Sequence, residues 1–571
     1  MHKFYAVREG APLEVRRALA AHSPLAQDLL FARGIFDADA AEKFLRPHFE
    51  RDSHDPFLLT DMDAAVGRII FAIRNSEPIA VWSDYDCDGI PGGVMLAEFL
   101  RDLGGRITHY IPDRHNDGFG LNEPGLAGLA YDGARVVITV DCGTTDIGQA
   151  AFAKKSGIDL IITDHHLPLT QKNKNGVSVD VLPRALVINP YRVDSRYPFR
   201  DLCGAGVAWK LMQAILAKDR FGYGLGKEKW LLDLVGLATL SDMVPLVGEN
   251  RMLASYGLLV MRKNRRLGLR ALFTRLRIDT RTLSEDDVTF MIAPRINAAS
   301  RLDKPQTAAR LLAAREGEEA AELALALNAI NDERKGLVAA TLKDARKRLA
   351  ARGVSEEKII VVGSPHWRPG ILGLVAQKLA EENGIPAFVW GRGGSDSIKG
   401  SCRSGGGINV VELMAGAKNI FSDYGGHDFS GGFSLDEARV HELKSALAAA
   451  YEKLSVKLAA QEVPLDRQLN VEEAPHALAD VRKLSPFGEG NKKPLFLFPG
   501  VSIAKTRMFG KAGDHLELVF EKNGASIPGV SFFSTPDSFQ KKVSEGVRAD
   551  VVAHLDTDWR SRPRLRVVDV L

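Results

Sequence analysis

A mostly parallel, doubly wound α/β sheet, a long helical connector, a second smaller α/β unit and a β domain form the architecture that the sequence predicts. Three observations predict it. Between Ile79 and Ile188 short apolar runs alternate with amphipathic stretches, as in strands joined by crossover helices. Residues Ala308 to Arg352 are so rich in Ala, Leu, Glu and Lys that they read as long helices, after which Lys358-Ile-Ile-Val-Val-Gly opens a second α/β unit running to about residue 460. Beyond Pro464 the segments shorten, alternate and fill with Val, Phe and Gly, which predicts a β domain. The expected units are 1–75, 76–250, 251–354, 355–460 and 465–571.

Residues 1–75 read mainly as short amphipathic helices, a scaffold rather than a site, with Leu29, Leu30, Phe31, Phe44 and Leu45 buried. The predicted strands of the first sheet are Ile79 to Trp82, Ile107 to Ile111, Arg135 to Val140, Asp159 to Thr163 and Ala185 to Ile188. Helices are expected near Val94 to Leu103 and Ile147 to Lys155. A chain of 571 residues has room for three or four domains with real cores. Lys plus Arg (75) exceeds Asp plus Glu (72) by only 3, so general basic character is no argument for nucleic acid and any electrostatic footprint must be local. The N-terminus lacks the apolar core of a signal peptide, and no run of about 18 uncharged apolar residues predicts a membrane span. Cys87, Cys142, Cys203 and Cys402 are scattered without a Cys-x-x-Cys pair, which fits free thiols in a reducing cytoplasm.

Charge is most concentrated in residues 79 to 93, where Ile-Ala-Val-Trp-Ser leads into Asp84, Asp86, Asp88 and Gly89. Open α/β sheets bind ligands at the carboxyl ends of strands, and carboxylates this close repel unless a cation, a proton or water screens them. A solvated acidic turn is one alternative. An EF-hand is another, but its twelfth position needs a bidentate Glu and holds Met95, and a strand rather than a helix leads in. The event recurs: Val136-Val-Ile-Thr-Val ends at Asp141, Leu160-Ile-Ile-Thr ends at Asp164-His165-His166, and Asp242 closes another apolar segment. Singly, Asp141 reads as a cap for a helix starting near Thr145, His165 as a satisfied core histidine and Asp242 as the start of a turn before Pro245. Parallel strands share one carboxyl edge, so jointly these groups point to a metal site. Carboxylate oxygens with one or two imidazoles and no thiolate pair suit Mn2+ or Mg2+. So many acids exceed the needs of one ion, whereas two ions roughly 3.5–4 Å apart, sharing a carboxylate, would serve phosphoryl transfer. Cys87 and Cys142 read as small packing residues.

Asp84-Tyr-Asp-Cys-Asp-Gly, Val140-Asp-Cys-Gly, Asp164-His-His and Ser241-Asp-Met-Val-Pro-Leu resemble the four motifs of the DHH phosphoesterase family, and the likeness is strongest to its bacterial exonucleases of single-stranded DNA. It extends nearly end to end. Ile111-Pro-Asp-Arg with Gly118-Phe-Gly-Leu is similar to a segment carrying a phosphate-binding arginine, here Arg114. Pro294-Arg-Ile-Asn-Ala-Ala-Ser-Arg resembles an Arg-x-Asn-Ala-x-x-Arg stretch, here Arg295, Asn297 and Arg301. Lys399-Gly-Ser-Cys-Arg-Ser and Gly425-Gly-His resemble the DHH-associated domain, and Phe487-Gly-Glu-Gly-Asn-x-x-Pro-Leu-Phe the entry to an OB-fold. Phe44-Leu-x-Pro, Asp55-Pro and Thr60-Asp-Met-Asp also fit. Cys87, Cys142 and Pro91-Gly92-Gly93 depart from the usual Ala, Asn and Ala-Thr-Ser, and Arg368 stands where the family often has His, keeping a cation that cannot act as a neutral base.

The resemblance implies a metal-dependent 5′→3′ exonuclease of single-stranded DNA in DNA repair and recombination, using two Mn2+ or Mg2+ ions. It implies Asp84, Asp86, Asp88, Asp141, His165 and Asp242 as ligands, His166 as acid/base or transition-state support and Asp164 as its orienting partner. Arg114, Arg295, Asn297, Arg301, Arg368, Ser401, Arg403, Ser404, Gly426 and His427 would hold phosphates without reading bases. Residues 465–571 would be an OB-fold for the strand, with Phe487, Phe496, Phe498 and the basic Arg560, Arg562, Arg564 and Arg566 as its candidate rings and cations. Implied partners are single-stranded DNA, a single-strand-binding protein and a helicase, with no membrane and a cytoplasmic location. One rival is a DHH phosphodiesterase for short RNA or dinucleotides, which usually lacks the extra β domain. The other is a non-catalytic replication scaffold, which would have lost the acids and histidines.

Overall fold

Five apolar runs become the five strands of one parallel sheet. The structure, a computed structural model, describes all residues except 1–3, 114–118, 173–175, 177, 303, 353–357, 393–396, 455–461, 511–512 and 559. After a short strand β1 (Phe4–Val7) and a series of helices ending at Arg74, the sheet comprises β2 (Pro78–Ser83), β3 (Arg106–Tyr110), β4 (Val136–Val140), β5 (Asp159–Thr163) and β6 (Leu186–Ile188), in the order β3-β2-β4-β5-β6. All neighbouring pairs are parallel. Crossover helices cover both faces, so both faces must be apolar. Ile79 and Val81 enter the core shared with α1 (Gly89–Asp102) and α2 (Gly204–Lys218), whereas Ala80 and Trp82 enter the core of the opposite face with Leu126 and Ala150. From β2 the chain steps one way to β3 and the other way to β4. The topological switch point, where such sheets bind ligands, therefore lies between the carboxyl ends of β2 and β4.

Helix α1 begins at Gly89, directly after the acids, rather than near Val94. Pro91 is tolerated there because the amides of a first turn have no partner within the helix. Helices α3 (Leu232–Ser241), α4 (Gly248–Arg262) and α5 (Ala293–Arg301) extend this core, and α6 (Gly317–Ala351) is the connector. Its Leu323, Ala324 and Leu327 pack into the first core and its Leu342 and Ala345 into a second, while Asp332, Glu333, Lys335 and Gly336 between them are exposed. The second unit has β7 (Ile360–Ser364), α7 (Pro369–Asn383), β8 (Ala387–Gly391), β9 (Ile398–Arg403), β10 (Asp423–His427) and β11 (Ser430–Leu435), in the sheet order β10-β11-β9-β8-β7. After β12 (Glu462–Leu465) come β13 (Phe496–Phe509), β14 (His515–Lys522), β15 (Ala525–Ser531), β16 (Arg548–Thr557) and β17 (Pro563–Val570). The order β13-β14-β15-β17-β16 closes through a β13–β16 pairing into a five-stranded barrel of the OB type.

The N-terminal segment is more than a helical scaffold. β1 pairs in parallel with β12, the Tyr5 hydroxyl donates to Asp569 at 2.9 Å, and Leu25 and Leu29 join the barrel core. Leu29 and Leu30 are buried as expected, but Phe31, Phe44 and Leu45 are half-buried. In the barrel, Phe496 and Phe498 are wholly buried and Phe487 packs against the same core, so none of the three is an open ring. Residues 496 and 498 share one face of a strand, and that face is the interior. The basic end is largely neutralised: Arg562 pairs with Asp558 at 2.7 Å, Arg564 with Asp556 at 3.4 Å and Arg566 with Asp286 at 3.3 Å. Among the described residues no helix is long and apolar enough to cross a membrane.

Arg251, on α4, ties three parts of the chain together. Its guanidinium donates to the carbonyls of Phe44 (2.6 Å), Ser485 (3.0 Å) and Pro486 (3.2 Å) and lies 3.8 Å from the Phe44 ring. Burial, with Arg33 nearby, pushes its pKa down to about 9. Glu285 accepts from the Ser485 hydroxyl and the Phe487 amide, both at 3.0 Å, and the Leu246 amide donates to the Glu489 carbonyl at 2.7 Å. The barrel entrance is thus bonded to the loop that follows Asp242. Truncating Arg251 to Ala removes the guanidinium donor from the Phe44 and Ser485 carbonyls, while Pro486 keeps Asn491 Nδ2 at 2.8 Å, and should cost about 2–5 kcal/mol in urea unfolding. A loss below about 0.5 kcal/mol would show that these segments are not coupled through it.

Candidate metal centre

The sheet's own hydrogen-bond ladder places the acids, because it runs one residue past each strand. The Asp84 amide donates to the Val140 carbonyl (3.0 Å), that of Asp141 to Thr163 (2.9 Å) and that of Asp164 to Ile188 (3.2 Å). Each acid is fixed against its neighbouring strand before its side chain touches anything. Asp141 then turns left-handed, with φ of +67°, a conformation costly for a residue with a Cβ. It does so against the start of α2, where a Cβ on Gly204 would lie 2.4 Å from the Asp141 Cβ, so only glycine fits.

Two acids also start helices. Asp86 Oδ1 accepts from the amides of Asp88 (2.7 Å) and Gly89 (3.0 Å) at the head of α1, and the Asp88 carboxylate accepts from Gly204 (2.6 Å) and Ala205 (2.8 Å) at the head of α2. The cap position weighed for Asp141, at the helix Ile147–Lys155, is held by Asp146 instead. His165 Nε2 faces three carboxylates: Asp141 at 3.1 Å, Asp242, at the end of α3, at 3.7 Å and Asp88 at 3.8 Å. Among the described residues three groups have ligand atoms mutually within 4.8 Å: Asp141 with His165 and His166, Asp88 with His165 and Asp242, and Asp84 with Asp86 and Asp141.

Asp164 is fully engaged elsewhere. Its Oδ1 accepts from the His165 amide (2.7 Å), the His166 amide (3.2 Å) and His166 Nδ1 (2.8 Å), and its Oδ2 from the Thr144 amide (2.9 Å). It therefore orients His166. Asn189 supports the same loop, donating to the His166 carbonyl (2.8 Å) and Thr144 Oγ1 (2.9 Å), and the Phe119 ring stands edge-on to His166 at 5.3 Å. Asn189 follows β6 as the acids follow their strands, but without charge it gave the sequence no signal. Phe119 and Thr144 likewise lack any charge pattern.

Burial dominates the electrostatics. It raises Asp88 to about 7, with help from Asp86, and Asp242 to about 9, with help from Asp88. Burial and then Asp88 raise Asp141 well above the carboxylate range. Burial lowers His165 to about 4, with His166 adding to it, so at neutral pH His165 offers a neutral lone pair. For His166 burial is outweighed by the Asp164 bond, which lifts it to about 9, and the same contact holds Asp164 below its ordinary value despite burial. Burial also keeps Cys87 and Cys142 as thiols, consistent with packing. The residues fit divalent cations: Asp141 Oδ1 is buried without a hydrogen-bond donor, beside a neutral imidazole and further carboxylates. Asp141 belongs to two of the three groups and, as a carboxylate, has an oxygen for each of two ions.

The expected phosphate-binding residues are distributed over two places. Asn297 Oδ1 accepts from the Cys87 amide at 2.9 Å, bracing the acidic loop itself. Arg295, on the same helix α5, is turned to Asn328 (3.0 Å) and the Met291 carbonyl (2.5 Å). Arg301, at the end of α5, donates to the Gly370 carbonyl (3.2 Å) in the first turn of α7. Ser401 and Arg403 approach that turn as well: Ser401 Oγ and an Arg403 guanidinium nitrogen lie 3.6 and 2.9 Å from the position of a Cβ on Gly373. Arg368 precedes α7, half exposed and 3.7 Å from Glu333. Ser404 has a buried hydroxyl without a hydrogen-bond partner, and its amide donates to the Phe429 carbonyl of the β10–β11 turn. Gly426 has φ of +140°, with the Ser430 carbonyl 2.3 Å from where a Cβ would sit, and His427 beside it is exposed. Arg114 lies outside the described residues.

The chain is similar to known proteins over nearly its whole length. Residues 78–239 match the model of the DHH family N-terminal domain, 356–455 the DHHA1 domain and 465–569 the RecJ OB domain. The single-stranded-DNA-specific exonuclease RecJ of Bacillus subtilis is 33% identical over 96% of this chain and 68% of its own length. That of Thermus thermophilus is 30% identical over 90% of this chain and 73% of its own. The crystal structure of the Thermus thermophilus RecJ with Mn2+ superposes with a TM-score of 0.80 at 29% identity, covering 100% of this chain and 79% of that one. Its complex with Mg2+ gives a TM-score of 0.75 at 28% identity, covering 99% and 78%.

The raised acids make a prediction with a definite sign. A carboxyl raised on folding contributes stability that is present below its unfolded value and lost as pH climbs through about 7 for Asp88 and about 9 for Asp242. A cation removes that loss and displaces the protons. The gain in melting temperature on adding Mn2+ should therefore be larger at about pH 8.5 than at about pH 5.5. An equal gain at both would mean that these acids do not receive the ion.

Proposed function

The chain belongs to the RecJ family of single-stranded-DNA-specific exonucleases, and from that membership we propose that it hydrolyses single-stranded DNA from the 5′ end with two Mn2+ or Mg2+ ions. One observation carries the reading: carboxylates and imidazoles from four separate segments meet at the carboxyl edge of one sheet, around an Asp141 oxygen that has no hydrogen-bond donor. In this reading Asp86, Asp88, Asp141, His165 and Asp242, with Asp84, hold the ions, and Asp141 serves both. The ions, when bound, would supply Lewis-acid stabilisation of the phosphodiester and lower the pKa of water so that it gives up a proton and serves as hydroxide.

The chain's own groups do the rest. His166 is pinned through Nδ1 by Asp164, which leaves Nε2 to face the phosphodiester and support its charge or hand over a proton. Asn297 and Ser241, bonded to the amide and carbonyl of Cys87, keep the acidic loop in register. Arg301, Ser401 and Arg403 hold phosphates at the head of α7, and the buried Ser404 hydroxyl gives a further donor. Arg368, Gly426 and His427 of the second unit add to that grip, and the family motifs give Arg114 and Arg295 the same phosphate-holding role. Such contacts fix the backbone and carry no base preference. A single-strand-binding protein and a helicase, which expose and hand over the strand, are its proteins of contact, and the cytoplasm is its location.

Oligonucleotides labelled at the 5′ or the 3′ end test the reading in Mn2+, with double-stranded DNA and RNA alongside. The 5′ label should leave at once as a mononucleotide while the 3′ label passes through a descending ladder. Early loss of the 3′ label would reverse the polarity, and equal digestion of duplex would remove the strand preference. Asp141→Asn should lower the rate at least about 100-fold, since losses at metal-supporting positions already reach that size. Near-normal turnover by the folded variant would contradict the metal assignment.

A further inference from the structure

A ring outside the grip just described stands where the barrel meets the catalytic unit. Residues Val288–Ile292 form a π-helical turn immediately ahead of α5, a feature that often marks functional sites. Val288 and Ile292 are wholly buried, which turns the residue midway between them outward, and Phe290 is 61% exposed. An aromatic ring left this open gives the fold little. On one side of it, the Thr289 hydroxyl is 3.5 Å from the carbonyl of Leu240, two residues before Asp242. On the other side is the barrel: the Arg566 guanidinium lies 5.6 Å from the ring centroid, held by Asp286 at 3.3 Å. Lys493 joins Asp286 at 3.5 Å and Asp556 at 3.7 Å, and Arg564 joins Asp556 at 3.4 Å. Three cations thus face two acids around one open aromatic surface, and Arg564 Nε is buried without an acceptor.

We propose that Phe290, with Arg566 beside its ring, is a base-stacking station for single-stranded DNA at the junction of barrel and metal centre. The inference rests on the single-strand reading above and adds to it a site for a base, where that reading has only sites for phosphates. A flat π-face with one cation already packed against it accepts any of the bases, and the surplus positive charge suits the phosphate that accompanies the base. It also supplies the open ring that Phe496 and Phe498, buried inside the barrel core, do not.

Binding of dye-labelled oligonucleotides of about 20 bases to the full chain, read by anisotropy without a catalytic metal, tests this with three substitutions. Phe290→Ala and Phe290→Leu should weaken binding by about 5- to 100-fold, similarly for different sequences, and Phe290→Tyr should restore it, because stacking needs a ring and not mere apolar bulk. Binding by the Ala variant equal to wild type overturns the proposal, as does a Leu variant that binds as tightly as Tyr. The residue is exposed, so the variants should melt with wild type. Failure of the wider reading looks different: wild-type protein that neither binds nor digests single-stranded DNA in Mn2+ overturns both, whereas a wild type that digests it while all three variants bind alike overturns the station alone.

Discussion

Buried carboxylates repel one another, and the parallel sheet forces several of them together. The ladder sets the backbones of Asp84, Asp141 and Asp164 side by side, and nothing in the ladder adjusts to relieve their charge. The chain relieves part of it with its own dipoles: Asp86 and Asp88 take the amides at the heads of α1 and α2, and Asp164 takes His166. Asp141 receives no such donor, and with Asp88 and Asp242 it is pushed toward protonation. The donors present are thus enough to position the acids but not to neutralise them, and the remaining deficit is the size and kind that divalent cations fill.

The same constraint explains the way the rest of the molecule is tied down. A cluster of acids held against its own repulsion needs rigid supports on every side. Gly204 permits α2 to press against Asp141, Asn297 braces the amide of Cys87, and the barrel entrance is bonded to the loop after Asp242 through Leu246 and Glu489. The barrel is therefore a buttress of the metal centre. The N-terminal segment closes the circuit, since β1 and Leu29 pack on the barrel while Phe44 is bonded to Arg251 of the catalytic unit.

Much of this was legible in the sequence for a physical reason. A parallel strand ends in the same plane as its neighbours, so an apolar run closed by Asp84, by Asp141 or by Asp164-His165-His166 places each group on one edge without knowledge of the loops between. What was not legible depends on partners that a run does not announce. The start of α1 at Gly89 is set by the Asp86 carboxylate, against the poor helix propensity of Pro91-Gly92-Gly93. Four residues at Phe4–Val7 are too few to show a period, and their partner strand lies at the far end of the chain. Phe496 and Phe498 read as candidate binding rings until the closure of the barrel turns their shared face inward. Asn189, uncharged, follows its strand unnoticed.

The central claim is that the acids of the sheet edge receive two divalent ions, with Asp141 common to both. Anomalous scattering at the manganese edge from crystals of the protein grown with Mn2+ tests it most directly. The account predicts two peaks about 3.5–4 Å apart, both within coordination distance of Asp141, with His165 on one of them. A single peak, or two peaks that leave Asp141 without an ion, would contradict it.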